Sequence, residues 1–245
     1  MLRLPTLPAD TARRFAAHSY LPLPGLLPPS GLARLRTELA RLEADARRRD
    51  FAMECMGGSP RHMTTIGGSA LAVESPLIGD LYRRPDLLAL LSSITGEPVM
   101  EVREVTERHV VNILHHPGDT HGEHTDDYPY ALVLFLEAPA DPGDGGLLEY
   151  APHTTALPLP ANTPVHRHHH RAGDAYLLRA DTTAHRVSPL TRPGVRRTVL
   201  NFAYTVPGRQ APRSPSAQLL YENESATGQG DADRGGTGGR GKQCG

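Results

Sequence analysis

The stretch that decides the fold lies at residues 118–139 and reads GDTHGEHTDDYPYALVLFLEAP. Its second half, YALVLFLEA from Tyr130, is a long run of aromatic, β-branched and aliphatic residues, which is typical of a buried β-strand. Just ahead of this run, His124 and Asp126 are separated by one residue. Residues two apart on an extended backbone point to the same side, so both side chains can reach one metal ion.

Four further short apolar runs surround this stretch and are separated by Gly, Pro and Asp clusters: HVVNILHH, GGLLEYAP, AYLLRA and RRTVLNFAYTV. No helical periodicity intervenes between them, which favours antiparallel pairing over a parallel α/β sheet. The sequence therefore predicts a mainly β fold, a double-stranded β-helix (jelly roll, cupin-like) with flanking N-terminal α-helices.

Two helical regions are predicted upstream of the strands. Leucines recur at three- and four-residue spacing after Ser30, which predicts an amphipathic helix with Ser30 as its N-cap and an end near Arg49. A second leucine-rich region runs from about Pro76 to Ile94, and Gly96 supplies a stop.

The chain divides into three segments by composition. Residues 1–29 are rich in proline and are expected to be extended and irregular. Residues 30–222 are expected to form one domain, since 245 residues with 38% hydrophobic content can bury a sizeable core. Residues 223–245 are dominated by Gly and charged residues and are expected to be disordered.

Composition narrows the class of protein and its partners. The 26 basic and 27 acidic residues nearly balance, which argues against a nucleic-acid partner. The two cysteines, Cys55 and Cys244, form no disulfide framework, and no apolar run is long enough to span a membrane. Without the layout of a secretory signal, a cytoplasmic location is expected. The oligomeric state stays open.

A third metal-ligand candidate, His185, follows the run AYLLRA. If its strand neighbours the strand that leads to His124, then His124, Asp126 and His185 form the two-histidine, one-carboxylate triad that suits iron(II) and leaves three coordination positions open. 2-Oxoglutarate can occupy two of these positions, and dioxygen the third.

The strand GVRRTVLNFAY, about a dozen residues after His185, supplies a cation for the distal carboxylate of 2-oxoglutarate. Arg197 shares a face with Asn201 and is the first candidate, whereas Arg196 points the other way and is the second. Asn112, in the run VVNIL, is a further candidate for contact with this cosubstrate.

With these motifs in place, the chain resembles the iron(II)- and 2-oxoglutarate-dependent oxygenase superfamily. Within it, the chain is most similar to the carrier-independent halogenases and hydroxylases of free, lysine-type amino acids. The resemblance covers residues 58–205 and rests on PGDTHGEHTDDYPYALVLFLEAP, GGLLEYAPH, GDAYLLRADTTAHRVSPL, RRTVLNFAY and SPLIGDLYRRPDLLALLSSITGEPV. It implies a distorted double-stranded β-helix with iron at its open end and oxidative attack on an unactivated carbon.

The resemblance also implies a reaction and a substrate site. Halogenases of this group carry a small residue at the position of Asp126, which frees a site on iron for chloride. With Asp126 present, hydroxylation of an aliphatic carbon of a free lysine-like amino acid or derivative is expected, in a setting such as natural-product biosynthesis, while desaturation, cyclisation and halogenation stay open. The positions that match the amino-acid site are Arg61, Glu107, His121, Asp127 and Asn201.

Two other classes of protein compete with this interpretation. His115, His116, His121 and His124 could bind zinc in a hydrolase or a zinc-stabilised binding module, because imidazole also suits zinc. A jelly-roll protein that binds a ligand without turnover is the other alternative.

Two stretches are expected to be loops. The histidine-rich residues 166–170, HRHHH, alternate faces on an extended chain and are expected to form a solvated loop. Residues 53–68, with Met53, Met56 and Met63 among glycines, are expected to form a connecting loop or a lid over the site.

Overall fold

The computed structural model describes residues 1–222, which form seven α-helices and twelve β-strands. The helices are α1 (Thr11–His18), α2 (Pro29–Leu42), α3 (Gly68–Glu74), α4 (Pro76–Tyr82), α5 (Pro85–Thr95), α6 (Val105–Arg108) and α7 (Pro215–Tyr221). The strands are β1 (Tyr20–Leu23), β2 (Arg47–Met53), β3 (Ser59–Ile66), β4 (Met100–Glu101), β5 (His109–Leu114), β6 (Thr120–His124), β7 (Tyr130–Glu137), β8 (Leu148–Ala151), β9 (His166–His168), β10 (Ala175–Arg179), β11 (Ala184–Val187) and β12 (Arg197–Thr205).

The strands pair antiparallel in the order β1-β10-β7-β12-β5-β3-β6-β11-β8-β9, with β2 added on β3 and β4 on β12. The sheet curls into a half-barrel, so the strands at its two ends face each other. This is the jelly-roll architecture predicted from the sequence, and the five predicted apolar runs form β5, β7, β8, β10 and β12.

Strand β7 shows why the central run is apolar on both faces. Leu132, Leu134 and Leu136 pack into a core shared with the N-terminal helices. Val133 and Phe135 point the opposite way into a second core inside the half-barrel. A strand covered on both sides has no solvent face, which explains an unbroken hydrophobic run where a half-exposed strand would alternate.

The predicted first helix is shorter than expected. It begins at Pro29, where proline suits the first helical turn, and ends at Leu42, so Ser30 lies inside α2 and is not its N-cap. The predicted helix end near Arg49 is therefore wrong, because Arg47–Met53 form β2 and pair with β3. Local helical preference is overridden there by pairing in the sheet.

The second helical region is divided. It forms α4 and α5, because Pro85 lacks the N–H needed to continue the first of them. Gly96 ends α5 in the left-handed conformation, with φ at 74°, as predicted.

The expectation of an irregular segment at residues 1–29 is wrong in part. Helix α1 lies within it, and β1 pairs with β10 through the register Tyr20 to Leu178. Phe15 of α1 is buried in the helix-side core. The N-terminal segment is therefore integral to the jelly roll, because it closes one edge of the sheet.

Both loop expectations also need correction. Residues 59–66 form β3, a central strand between β5 and β6, and only a short turn at Glu54–Met56 precedes it. In the histidine-rich stretch, His166–His168 form β9, and His170 is buried against the ring of Phe135. The predicted disorder of residues 223–245 lies outside the described residues. Within residues 1–222, no helix has the length and apolar character required to cross a membrane.

Candidate metal centre and active site

Three potential metal ligands meet at the open end of the half-barrel. His124, the last residue of β6, is directly paired with His185 of β11. The Asp126 backbone N–H donates to the carbonyl of Ala180 at 3.0 Å, which fixes the chain beyond β6. The Asp126 Oδ1 atom lies 3.5 Å from His124 Nε2 and 3.6 Å from His185 Nε2. The ligand atoms of all three residues lie within 4.8 Å of one another.

Hydrogen bonds set the tautomer of both histidines. His124 Nδ1 lies 2.7 Å from the carbonyl oxygen of Gly122, and His185 Nδ1 lies 2.9 Å from that of Thr183. A carbonyl oxygen only accepts, so each Nδ1 carries the proton and donates it. Both Nε2 atoms are therefore left with free lone pairs directed at Asp126, as metal ligation requires.

The electrostatics of the three residues suit a divalent cation. Burial lowers the pKa of His124 well below its ordinary value and that of His185 to about 4, so both imidazoles are neutral. Burial, together with the nearby Asp127 carboxylate, raises the pKa of Asp126 to about 7. Two neutral imidazoles and one carboxylate fit iron(II) with open positions. Among the described residues, no other group of three or more His, Cys, Asp or Glu side chains is arranged to hold a metal.

Arg197 is a buried cation that lines the same cavity. Its guanidinium carbon lies 5.0 Å from the ring centroid of Phe135, and it hydrogen-bonds to Tyr176. Burial lowers its pKa, its Nε has no partner, and it forms no ion pair within residues 1–222. Because burying an unpaired charge is costly, this guanidinium is suited to an anion supplied by a bound molecule.

Arg196 does not reach the cavity. It lies on the opposite face of β12 and forms ion pairs with Glu137 at 2.6 Å and with Glu43 at 2.7 Å. The second candidate for binding the cosubstrate is therefore set aside, as the alternation of side chains along a strand anticipated.

Arg61 is a second fully buried cation at the cavity. It is paired in register with His121 across β3 and β6. Its guanidinium donates to Ser59 Oγ at 2.8 Å, to the carbonyl of Pro60 at 3.1 Å and to Met56 Sδ at 3.0 Å, while its Nε has no partner. Burial lowers its pKa to about 10. All of its hydrogen-bonding partners are uncharged, so its charge also remains available to an anion.

His121 stacks on the ring of His124, with 4.0 Å between centroids. Its Nε2 has no hydrogen-bonding partner, and burial lowers its pKa well below the ordinary value. A neutral imidazole with an open nitrogen, placed beside a metal ligand, can hydrogen-bond to a bound molecule but does not belong to the metal cluster.

A pair of carboxyl groups also lines the cavity. Glu107 of α6 hydrogen-bonds to Asp127, and burial together with this neighbour raises the pKa of Glu107 to about 9. The Glu107 carboxyl is therefore protonated at neutral pH, since a second negative charge beside Asp127 in a buried position is costly. The Glu107 Oε2, Asn112 Oδ1 and Asn201 Oδ1 atoms are buried without partners, which leaves the wall with acceptors for an incoming donor.

The cavity brings together all but one of the site residues predicted from the sequence, the exception being Arg196. Those that line it are His124, Asp126, His185, Arg197, Asn112, Arg61, Glu107, His121, Asp127 and Asn201.

The cavity is also lined by residues that the sequence patterns did not single out, among them Tyr176, Leu220 and Tyr221, and by Met56 from the stretch expected to form a loop or a lid. The alternation in AYLLRA places Tyr176 and Leu178 on one face and could have identified Tyr176. The sequence of helix α7 has no pattern that points to the cavity. Its position is set by long-range contacts, such as the hydrogen bond that Thr65 Oγ1 donates to the Leu220 carbonyl at 2.8 Å.

The sequence model of the family described as Halogenase D (HalD) matches residues 5–216. The chain belongs to the Halogenase D family. No curated protein matches the sequence.

Solved structures similar to this member of the Halogenase D family share its fold at low identity. The epimerase SnoN from nogalamycin biosynthesis has a TM-score of 0.63 at 19% identity, covering 97% of this chain and 96% of that one. HygX from Streptomyces hygroscopicus, solved with nickel and 2-oxoglutarate bound, has a TM-score of 0.63 at 16% identity, covering 94% and 98%. A 2OG-Fe(II) oxygenase family oxidoreductase from Burkholderia pseudomallei has a TM-score of 0.60 at 17% identity, covering 85% and 97%.

These findings confirm the predicted superfamily, that of the iron(II)- and 2-oxoglutarate-dependent oxygenases, and with it the expected cofactors at the level of the family. The zinc alternative is wrong for the described residues. The rings of His115 and His116 contact each other at a tilt and His121 stacks on His124, but the four histidines form no common metal cluster.

Proposed function

We propose that this Halogenase D family member hydroxylates an aliphatic carbon of a free amino acid that carries a second amine, such as lysine or a derivative of lysine. The observation that carries the proposal is that one cavity is lined both by the buried cation Arg61 and by the carboxyl pair of Glu107 and Asp127. A small zwitterion with a further ammonium group matches this set of charges.

In this proposal, His124, Asp126 and His185 hold iron(II). When bound with 2-oxoglutarate and dioxygen, the metal supplies the oxidising power that removes hydrogen from an unactivated carbon and returns hydroxyl. The chain's own contribution is to keep both imidazoles neutral and correctly oriented through the carbonyls of Gly122 and Thr183.

Arg197 binds the distal carboxylate of 2-oxoglutarate. The guanidinium is buried and lacks a carboxylate partner among residues 1–222, and it presents two parallel donors to a planar anion. Tyr176, which hydrogen-bonds to Arg197, keeps the guanidinium oriented toward the cavity. Asn112, with an unpartnered Oδ1 on the neighbouring strand, provides a polar contact beside it.

Arg61 binds the carboxylate of the amino acid, and His121, its register partner, hydrogen-bonds to the same end of the substrate. At the other end, Glu107, Asp127 and Asn201 receive the ammonium group of the side chain. An ammonium group displaces the proton of Glu107, because its positive charge stabilises the ionised carboxylate beside Asp127. A neutral analogue leaves these groups buried and unpaired, so it is rejected.

Hydroxylation is favoured over halogenation because Asp126 lies where it can serve as the third protein ligand, which leaves no position for chloride once 2-oxoglutarate and dioxygen are bound. Desaturation and cyclisation begin with the same removal of hydrogen. They are alternative products within this proposal.

The test is succinate formation from 2-oxoglutarate, measured with iron(II) in air across lysine, ornithine, arginine, leucine and an amino acid tethered to a carrier protein. We expect the highest yield with a free diamino acid, together with a product heavier by one oxygen atom. Leucine, whose side chain carries no nitrogen, is the matched control for the ammonium site. If leucine or the tethered amino acid were turned over faster than every free polar amino acid, the proposed substrate class would be wrong. The assignment as an oxygenase would still hold.

A further inference from the structure

A row of aromatic side chains in contact with one another leads from the wall of the cavity to the protein surface. Tyr176 lines the cavity beside Arg197. Its ring centroid lies 5.7 Å from that of Tyr20, and the Tyr20 centroid lies 5.1 Å from that of Tyr150. The Tyr150 ring stacks on His166 at 5.2 Å, and His166 is exposed on β9. The three tyrosines are almost completely buried.

Two histidines lie beside the tyrosines of this row. The Tyr20 hydroxyl lies 2.9 Å from His170 Nε2, and the Tyr150 hydroxyl lies 3.5 Å from His168 Nε2. His168 also stacks on Tyr20, with 4.3 Å between centroids. Burial lowers the pKa of His170 to about 3, so the imidazole is neutral, and its Nδ1 has no hydrogen-bonding partner. With Nδ1 protonated, Nε2 is an acceptor for the Tyr20 proton.

Burying a hydroxyl group costs free energy unless the group has a hydrogen-bonding partner. Phenylalanine would fill the same space in an apolar core without that cost, so packing alone does not explain the tyrosines. Phe135, which packs in the same interior core, shows that phenylalanine is accommodated there. The three tyrosine rings pack one against the next, and the hydroxyls of two of them face an imidazole that can accept their proton. In this arrangement a tyrosine can lose one electron and one proton together, so no buried charge is left on its oxygen.

We propose that Tyr176, Tyr20 and Tyr150 form an electron route that drains oxidising equivalents from the cavity to the surface when 2-oxoglutarate is consumed without substrate. The inference rests on the proposed function only in that an oxidising metal centre stands in the cavity.

The electrons and protons balance along the route. Tyr176 gives one electron to the oxidised centre and its hydroxyl proton to the water of the cavity. Tyr20 then returns an electron to Tyr176, which regains a proton from that water, and the Tyr20 proton passes to His170 Nε2. Tyr150 reduces Tyr20, which takes its proton back from His170, while the Tyr150 proton passes to His168.

A low-molecular-weight thiol at the surface beside exposed His166 supplies an electron to Tyr150 across the stacked rings of the two residues, and Tyr150 regains its proton from His168. The thiol is thereby oxidised to half a disulfide and releases one proton. Each passage delivers one electron to the centre, and the proton that the thiol releases to solvent balances the proton taken up from solvent at the centre, so two passages quench a two-electron oxidation. The route keeps the oxidation away from the ligands and the arginines of the cavity.

The first experiment uses the iron-loaded enzyme with 2-oxoglutarate in air and without amino acid. Tyr20→Phe keeps the ring stack but removes the middle hydroxyl, and Tyr204→Phe is the matched control, since Tyr204 is buried and stacked on Tyr82 in the helix-side core. Thermal unfolding checks that both variants fold. Peptide mass spectrometry locates oxidised residues, and electron paramagnetic resonance of frozen samples detects tyrosyl radicals.

In the wild type we expect oxidised side chains at Tyr150 and Tyr20. In Tyr20→Phe we expect oxidised side chains only at Tyr176 and its neighbours in the cavity. We also expect Tyr20→Phe to inactivate several-fold faster and to lose protection by added thiol, while Tyr204→Phe behaves as wild type. The same distribution of oxidised residues and the same inactivation rate in Tyr20→Phe as in wild type would overturn the proposal.

A second experiment needs neither metal nor turnover, so it separates failure of the route from failure of the proposed function. A photo-oxidant is attached to a cysteine that replaces exposed Val165, next to β9, in a background with Cys55→Ser and Cys244→Ser. In the metal-free protein, a light pulse should produce oxidised Tyr176 in the presence of Tyr20 and Tyr150, and several-fold less of it in Tyr20→Phe. Equal yields at Tyr176 in both proteins contradict the route, whatever the enzyme's substrate is.

Discussion

His185 of β11 lies directly opposite His124 of β6 in the antiparallel ladder, so the two imidazoles that face the metal position are cross-strand neighbours. Directly paired residues point to the same side of a sheet, which brings the ring centroids to 4.1 Å without help from any loop. Only the carboxylate of Asp126 comes from a segment outside a strand. The candidate metal centre is therefore built mainly by the backbone of the sheet, which gives it a rigid frame.

The metal ligands give the first prediction. His185→Ala should lower iron(II) affinity by on the order of 100-fold or more and abolish succinate formation, because one of three ligand atoms is lost. Calorimetric titration with iron(II) under anaerobic conditions measures the affinity. His116→Ala is the matched control, since His116 is exposed and lies outside the cluster. Normal iron affinity in His185→Ala would contradict the assignment.

Arg197 and Arg196 give an internal comparison on adjacent residues. Arg197→Ala should raise the KM for 2-oxoglutarate about 30-fold or more, because losing a buried ion pair with the cosubstrate costs at least about 2 kcal/mol. Arg196→Ala should leave this KM within about twofold, since its partners are the exposed carboxylates of Glu43 and Glu137. Steady-state kinetics with varied 2-oxoglutarate distinguishes the two. Equal effects of both substitutions would remove the case for Arg197.

Glu107 provides a test of the ammonium site. Glu107→Gln should raise the KM for a diamino acid about tenfold, because a charge-assisted hydrogen bond becomes a neutral one. The control is Glu123→Gln on β6, whose side chain is ion-paired with Arg186 at 3.0 Å and does not line the cavity. Binding of lysine and of leucine is compared by titration without oxygen. A loss for leucine as large as that for lysine would show that Glu107 does not recognise the amine.

Asp126→Gly should change the reaction as well as its rate. Removing the carboxylate opens a position at the metal, and hydroxylated product should fall on the order of tenfold or more. We expect a chlorinated product that depends on added chloride, read by mass spectrometry of the product and by titration with bromide in its place. Asp144→Gly, which removes a carboxylate paired with Arg192 outside the cavity, should give no halogenated product. Undiminished hydroxylation by Asp126→Gly would mean that Asp126 is not a ligand.

His109 should make stability depend on pH. Burial lowers its folded pKa to about 4, below the unfolded value of about 6.5. Its contribution is therefore complete above pH 6.5 and is lost as the pH falls toward 4, because the unfolded chain binds the proton more readily. Between pH 7 and pH 5 this single group should remove about 2 kcal/mol from the free energy of unfolding.

Denaturant unfolding of the metal-free protein at pH 7 and at pH 5 measures this loss, and His109→Gln should reduce it by the same amount. Groups in the cavity are common to both proteins and cancel in the comparison. An identical pH slope in His109→Gln would exclude His109 as a source of acid sensitivity.

The sequence by itself determined the jelly roll and most of the cavity. The period of two along a strand placed Arg197 inside and Arg196 outside, and the spacing of His124 and Asp126 indicated two candidate metal ligands, because these are local consequences of extended backbone geometry. The apolar runs located five strands, since burial on both faces leaves no polar interruption.

Only the tertiary structure decided what depends on distant partners. Residues 47–53 become a strand because β3 lies beside them, and residues 20–23 because β10 offers an unpaired edge. The raised pKa of Glu107, the unpaired charge of Arg61 and the approach of α7 to the cavity arise from contacts between segments far apart in the chain. Such contacts follow from how the sheet curls, and the local residue pattern that specifies a strand does not specify which side chains the curl brings face to face.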